Sequence, residues 1–161
     1  MGSSGSPRST TLPLLFFDTD VIVSWLVDEV DSLTHHPLWK APRALVEQIE
    51  ARRIAGCTSL FTLLELRYLL RRRKALPSSR VEDLLTKLEQ LFRVIIPDEL
   101  TLLRANSLQA DHGLGPIDAV HLATALFEAP CTFTSRDAAL LKVARLFMPA
   151  KTPEELVGVL T

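Results

Sequence analysis

The chain has 161 residues, 47% hydrophobic and 23% charged, with eighteen basic residues against nineteen acidic ones for a net charge of −1. That composition excludes a disordered chain, and the charge balance argues against nucleic-acid binding through bulk charge while leaving room for a local basic strip. Two cysteines make no disulfide framework, no CxxC or Cys/His cluster suggests zinc, and no apolar run reaches the ~18 residues of a membrane helix. A reducing, cytoplasmic setting fits this cysteine usage. Met1-Gly2-Ser3-Ser4-Gly5-Ser6 lacks the apolar stretch of a signal peptide. Residues 1–12 therefore read as a tag remnant or disordered tail, and 13–161 as a single domain.

Leu14-Leu15-Phe16-Phe17 is a short continuous apolar run ending at Asp18, the pattern of a strand buried on both faces. A short helix from Thr19 to Val27 follows, then an acidic turn and a helix over Pro42–Ile54. Ala55–Ser59 is a weak second strand, Leu60–Lys74 a strong helix ended by Pro77, and Ser78 or Ser79 opens another helix to about Leu91. Val94-Ile95-Ile96 is the third strand, and a helix over Asp98–His112 is closed by Gly113. Gly115-Pro116 opens a helix to about Glu128, with proline at its first position. Cys131–Thr134 is the fourth strand, Ala138–Arg145 a helix, Leu146-Phe147-Met148 a fifth, edge strand, and Pro153–Leu160 the last helix. This alternation predicts an α/β fold: three α/β/α layers around a central parallel sheet of four to five strands, with functional groups beyond the strands' carboxyl ends.

Four acids fall at that edge. Asp18 follows the first strand, Glu65 lies in the first turns of the helix after the second, Asp118 opens the helix leading to the fourth, and Asp137 follows the fourth. Each has a plainer reading: a strand-end turn for Asp18, a surface ion pair for Glu65, a helix-dipole complement for Asp118, a helix cap for Asp137. Together they are harder to dismiss, because unit charges ~4 Å apart repel by ~4 kcal/mol at an effective dielectric of 20. A cluster of four needs cations, and oxygen-only ligands favour Mg²⁺ or Mn²⁺. Such a site suits phosphodiester hydrolysis.

Four segments, in this order, carry a resemblance: Phe16-Phe17-Asp18-Thr19-Asp20-Val21-Ile22; Ser59 to Leu69 around Glu65; Gly115-Pro116-Ile117-Asp118-Ala119-Val120-His121-Leu122-Ala123-Thr124-Ala125; and Phe133-Thr134-Ser135-Arg136-Asp137. The chain resembles the PIN-domain nucleases, and especially the VapC-type toxins of toxin–antitoxin pairs. The resemblance implies a Mg²⁺- or Mn²⁺-dependent endoribonuclease with Asp18, Glu65, Asp118 and Asp137 as its acidic quartet and Ser135 as a hydroxyl beside the last acid. Thr19 and Asp20 match a pair where the family often has Thr and Asn or Ser. Homodimers and a small antitoxin partner are implied as well. Asp28–Lys40 is longer than in compact toxins.

Arg67, Arg71 and Lys74, extended by Arg72 and Arg73, are spaced i, i+4 and i+7 on the helix bearing Glu65. They form either a strip on the RNA phosphate backbone or a solvated face suited to a helix C-terminus. His121, one turn past Asp118, reads as a packing or hydrogen-bonding residue, and the few aromatics offer no base-stacking platform. Three rival readings stay open. Asp18 and Asp20 resemble the DxD motif of haloacid-dehalogenase-type phosphatases. Lys151-Thr152-Pro153 resembles part of a non-enzymatic receiver module. A PIN-like scaffold could also bind RNA without cutting it.

Overall fold

The structure, a computed structural model, describes residues 11–160. The tail expected over 1–12 lies outside the described residues, apart from exposed Thr11 and Leu12. Strand β1 (Leu14–Phe17) is the middle of a five-stranded, all-parallel sheet, flanked by β2 (Ala55–Ser59) and β4 (Thr132–Thr134). Strands β3 (Arg93–Ile95) and β5 (Ala150–Lys151) close the edges, giving the order β3-β2-β1-β4-β5. Phe16 pairs with Cys57 on one side and Phe133 on the other. The apolar run of β1 serves two cores, as the pleat requires. Leu15 and Phe17 face one, and Phe16 faces the other.

The first core lies under α1 (Thr19–Leu26), α2 (Lys40–Glu50), α3 (Leu60–Tyr68), α4 (Ser78–Leu91) and α8 (Pro153–Leu160). The second lies under α5 (Glu99–His112), α6 (Pro116–Phe127) and α7 (Ala138–Ala144). The expected three-layer α/β/α architecture is therefore the observed one. Gly56 lets the first core close tightly: a Cβ there would sit 2.6 Å from Ile49 Cδ1 and 2.8 Å from Phe92 Cδ1. Gly113 ends α5 in the left-handed conformation, φ 65°, that glycine adopts without strain.

Three expectations need correction. The fifth strand is Ala150–Lys151, not Leu146–Met148. The amides of Leu146, Phe147 and Met148 donate back to Val143 and Ala144, so that apolar triplet continues the turn of α7. The β-ladder forms three residues later, where the Pro149 carbonyl accepts from Phe133 N–H at 2.9 Å. Helix α2 starts at Lys40 and stops at Glu50, because Ala51–Arg53 turns before β2, with Arg52 at φ 54°. The helix expected from Leu60 to Lys74 is regular only to Tyr68; Leu69–Arg73 is a π-helical turn in which Lys74 N–H reaches the Leu69 carbonyl, five residues back, at 3.1 Å. Among the described residues no helix is long and apolar enough to cross a membrane.

Candidate active site

The loops at the carboxyl edge of the sheet are short, and two of them are capping aspartates. Asp18 ends β1 and caps α1, its Oδ1 accepting from Thr19 N–H at 2.8 Å. Asp137 follows β4 and caps α7, its Oδ1 accepting from Leu140 N–H at 2.9 Å. The plain capping reading of both is thus realised, yet neither cap uses the whole carboxylate. Asp18 Oδ2 accepts from the Ser135 hydroxyl at 2.8 Å, in the interior.

Asp18, Asp20, Glu65, Asp118 and Asp137 line one cleft of about 370 Å³, with Thr19, Val23, Glu29, Leu69, Arg73 and Lys74 completing its wall. The electrostatics follow from crowding acids in a partly dry place. Burial pushes the Asp18 carboxyl above its ordinary value, against the pull of His121. Burial and the neighbouring Asp18 charge push Asp20 up to about 7. Asp118 is raised by burial and then by the charges of Asp18 and Asp137. Glu65 alone moves down: burial opposes its charge, but hydrogen bonds from His121 and Thr19 outweigh it. His121 Nε2 lies 2.8 Å from Glu65 Oε2 and 3.7 Å from Asp18 Oδ1. Burial disfavours the imidazolium, but the bond to Glu65 and the nearby acids outweigh it and raise His121.

The donor set fits a hard divalent cation: every group is an oxygen, and Asp20 Oδ1 is buried in the cleft wall without a hydrogen-bond partner. Among the described residues no three acidic, histidine or cysteine side chains converge closely enough to grip an ion as they stand. The oxygens line the cleft but do not close into a cage.

A model of the PIN domain matches residues 15–146 of the chain. The chain belongs to the PIN-domain family. This PIN domain resembles solved structures in fold at low identity. The VapBC2 complex of Rickettsia felis, bound to a DNA fragment from its promoter, shares 14% identity at TM-score 0.65, covering 86% of this chain and 98% of that one. FitAcB from Neisseria gonorrhoeae shares 22% at TM-score 0.59, covering 87% and 98%. A toxin–antitoxin complex from Klebsiella pneumoniae shares 18% at TM-score 0.55, covering 76% and 86%. No curated protein matches the chain significantly. Family membership displaces the phosphatase and receiver readings.

Of the residues singled out in the sequence, the PIN fold brings Asp18, Glu65, Asp118 and Asp137 to one cleft, with Ser135 beneath Asp18. It divides the basic strip. The π-helical turn adds a residue to the helical register, so Arg67 and Arg71 share a neighbouring concavity with Leu64, Tyr68 and Arg72, whereas Lys74 lines the acidic cleft. Arg67 pairs with Glu82, Arg71 with the Ser78 hydroxyl, and Lys74 with Glu29 at 2.9 Å. Tyr68 is 61% exposed, an aromatic outside the core that residue counting overlooked.

Two further residues matter more than the sequence reading gave them. His121, expected to pack or hydrogen-bond, is a hydrogen-bond partner inside the acid cluster itself, one turn after Asp118 on α6. Arg136 donates its backbone N–H to Asp20 Oδ2 at 2.8 Å, and its guanidinium joins Ser24 Oγ, the Leu38 carbonyl and Glu154. It ties the end of β4 to α1, to the long Asp28–Lys40 segment and to α8. No spacing rule announces a residue whose partners are so scattered in sequence.

Proposed function

We propose that this PIN domain is a Mg²⁺- or Mn²⁺-dependent endoribonuclease and the toxin of a toxin–antitoxin pair. The observation that carries the reading is the cleft in which six carboxylates share a wall with two cations. Asp18, Glu65, Asp118 and Asp137 would hold the cation. When bound, a divalent ion polarises a phosphoryl oxygen and makes water a nucleophile at neutral pH. The chain's own residues prepare the rest. The Thr19 hydroxyl and His121 both hold Glu65 Oε2, at 2.5 and 2.8 Å, and so fix one acid's orientation. Ser135 orients Asp18, and its Oγ also accepts from Asp137 N–H at 3.0 Å, linking two acids of the quartet. Arg67, Arg71 and Lys74 would meet phosphates of the RNA on either side of the cut.

Regulation is part of the reading, because a nuclease without base readout endangers its own cell. The complexes that resemble this chain include a toxin–antitoxin complex, which supports an antitoxin partner here. The groove between α1, α2 and α4 is lined by Trp25, Val46 and Leu84 among residues of both charges, including Arg43, Glu47 and Lys87. It would receive an amphipathic partner segment. Exposed Leu64 on α3 and Leu100 and Leu103 on α5 offer apolar surface for a homodimer. Sedimentation of the purified chain tests the dimer, and harmless overexpression without an antitoxin would contradict the toxin role. The decisive test is cleavage of RNA with Mn²⁺ and with EDTA, wild type beside Asp118→Asn. Cleavage only by wild type with metal is expected; metal-independent cleavage, or none, would contradict the reading.

A further inference from the structure

The acidic cleft has two cations, and they are held differently. Lys74 is engaged by Glu29, which reaches it from the long segment between α1 and α2 and itself lines the cleft. The Arg73 guanidinium makes no hydrogen bond or ion pair among the described residues, although six carboxylates share its cleft. Its place there depends on the π-helical turn. Glu65, Leu69 and Arg73 form one line along the helix into the cleft, while Leu64, Arg67, Tyr68, Arg71 and Arg72 line the next concavity. Such π turns are frequent at functional sites, and this one, at the end of the helix, brings Arg73 rather than Arg72 into line with Glu65 and Leu69.

We propose that Arg73 is a substrate-binding residue that takes the RNA phosphate next to the scissile one, and that Glu29 competes with the RNA for Lys74. The proposal rests on the ribonuclease reading and deepens it. A guanidinium suits the task because its fixed fork matches two phosphate oxygens, and it stays charged under all conditions of the reaction. An unpaired arginine has no partner to give up, whereas Lys74 must leave Glu29 first. Glu29 thus sets an electrostatic threshold: a polyanion displaces it when several phosphates bind together, and a single small anion does not. Arg67 and Arg71, already satisfied by Glu82 and Ser78, contribute less.

The test is fluorescence anisotropy with a labelled single-stranded RNA, titrated with salt in the Asp118→Asn background so that the probe survives. Arg73→Ala should weaken binding and lower the slope of log K against log [salt] by about 0.7, one single-strand phosphate contact. Arg73→Lys should keep the slope. Glu29→Gln should strengthen binding, and Arg67→Ala should change it less than Arg73→Ala. Tm gain with Mn²⁺ in otherwise wild-type Arg73→Ala protein reports that its fold and acids are intact. An unchanged slope in Arg73→Ala, or weaker binding in Glu29→Gln, would overturn the proposal while RNA cleavage by the wild type still stands. Failure of the parent to bind RNA at low salt would overturn both.

Discussion

Asp18 and Asp98 do the same local job and end in opposite states. Each caps a helix by accepting a backbone N–H at 2.8 Å, Asp18 for α1 and Asp98 for α5. At the surface, the hydrogen bonds from Thr101 hold the Asp98 carboxyl below its ordinary range. At the sheet edge, burial, with a smaller push from the Glu65 charge, overwhelms an equal capping bond and raises Asp18. A cap therefore explains why an aspartate stands at either position, but it does not explain why three raised carboxyls share one cleft. That arrangement works against the stability of the free protein, and a cation that joins the charges relieves it.

The largest expected contrast follows. Asp18→Asn should lower RNA cleavage at least ~100-fold, because a ligand to the ion is lost, while Asp98→Asn should leave turnover unchanged. Equal loss in both variants, measured under metal-saturating conditions, would reduce Asp18 to a cap.

A second contrast lies in pH. With metal chelated, Asp18, Asp20 and Asp118 keep protons in the fold that the unfolded chain has already released. Their stabilising contribution is full below the unfolded value of 3.8 and declines as pH rises, for Asp20 until it passes about 7. His121, also raised, loses its contribution as pH climbs through its folded value. Melting temperature in EDTA should therefore fall from about pH 5 to pH 8. Asp98 works the other way, lending stability above 3.8 that disappears as pH falls through its lower folded value. Asp20→Asn should flatten the decline near neutrality; an unaltered profile would remove Asp20 from the explanation.

The smallest effect expected is at Arg136. Arg136→Ala keeps the backbone donor to Asp20 but frees the segment held at Leu38 and Glu154. Cleavage should drop several-fold, about 1 kcal/mol of positioning, and the Mn²⁺-induced rise in Tm should survive. A loss as large as that of Asp18→Asn would make Arg136 part of the site.

How much of this was legible in the sequence depended on how local the cause was. The apolar run of β1, the Gly113 cap and the Gly115-Pro116 start of α6 are dictated by neighbours in the chain, and each lies where expected. Strand β5 was misplaced because Leu146-Phe147-Met148 is apolar, whereas the ladder needs backbone reach to Phe133 rather than hydrophobicity. The π-helical turn was invisible because a uniform helical period fits Leu60–Lys74 equally well. Leu66 and Leu70 are both fully buried, as either register allows, and the chain turns beyond the helix at Ala75 with φ 53°. For the candidate site, strand ends brought the acids to mind, but the bond between His121 and Glu65 joins residues 56 apart and needs the folded sheet.

The central claim is that Asp18 and Asp118, a hundred residues apart in the chain, serve one cation. The most direct measurement is the Mn²⁺-dependent rise in melting temperature of wild type, Asp18→Asn and Asp118→Asn. At a hundredfold excess over Kd the wild type should gain about 2.7 kcal/mol, because the ion binds only the folded state. Both variants should lose most of that gain. If either keeps the full wild-type shift, the two acids do not share a site and the account of the cleft is wrong.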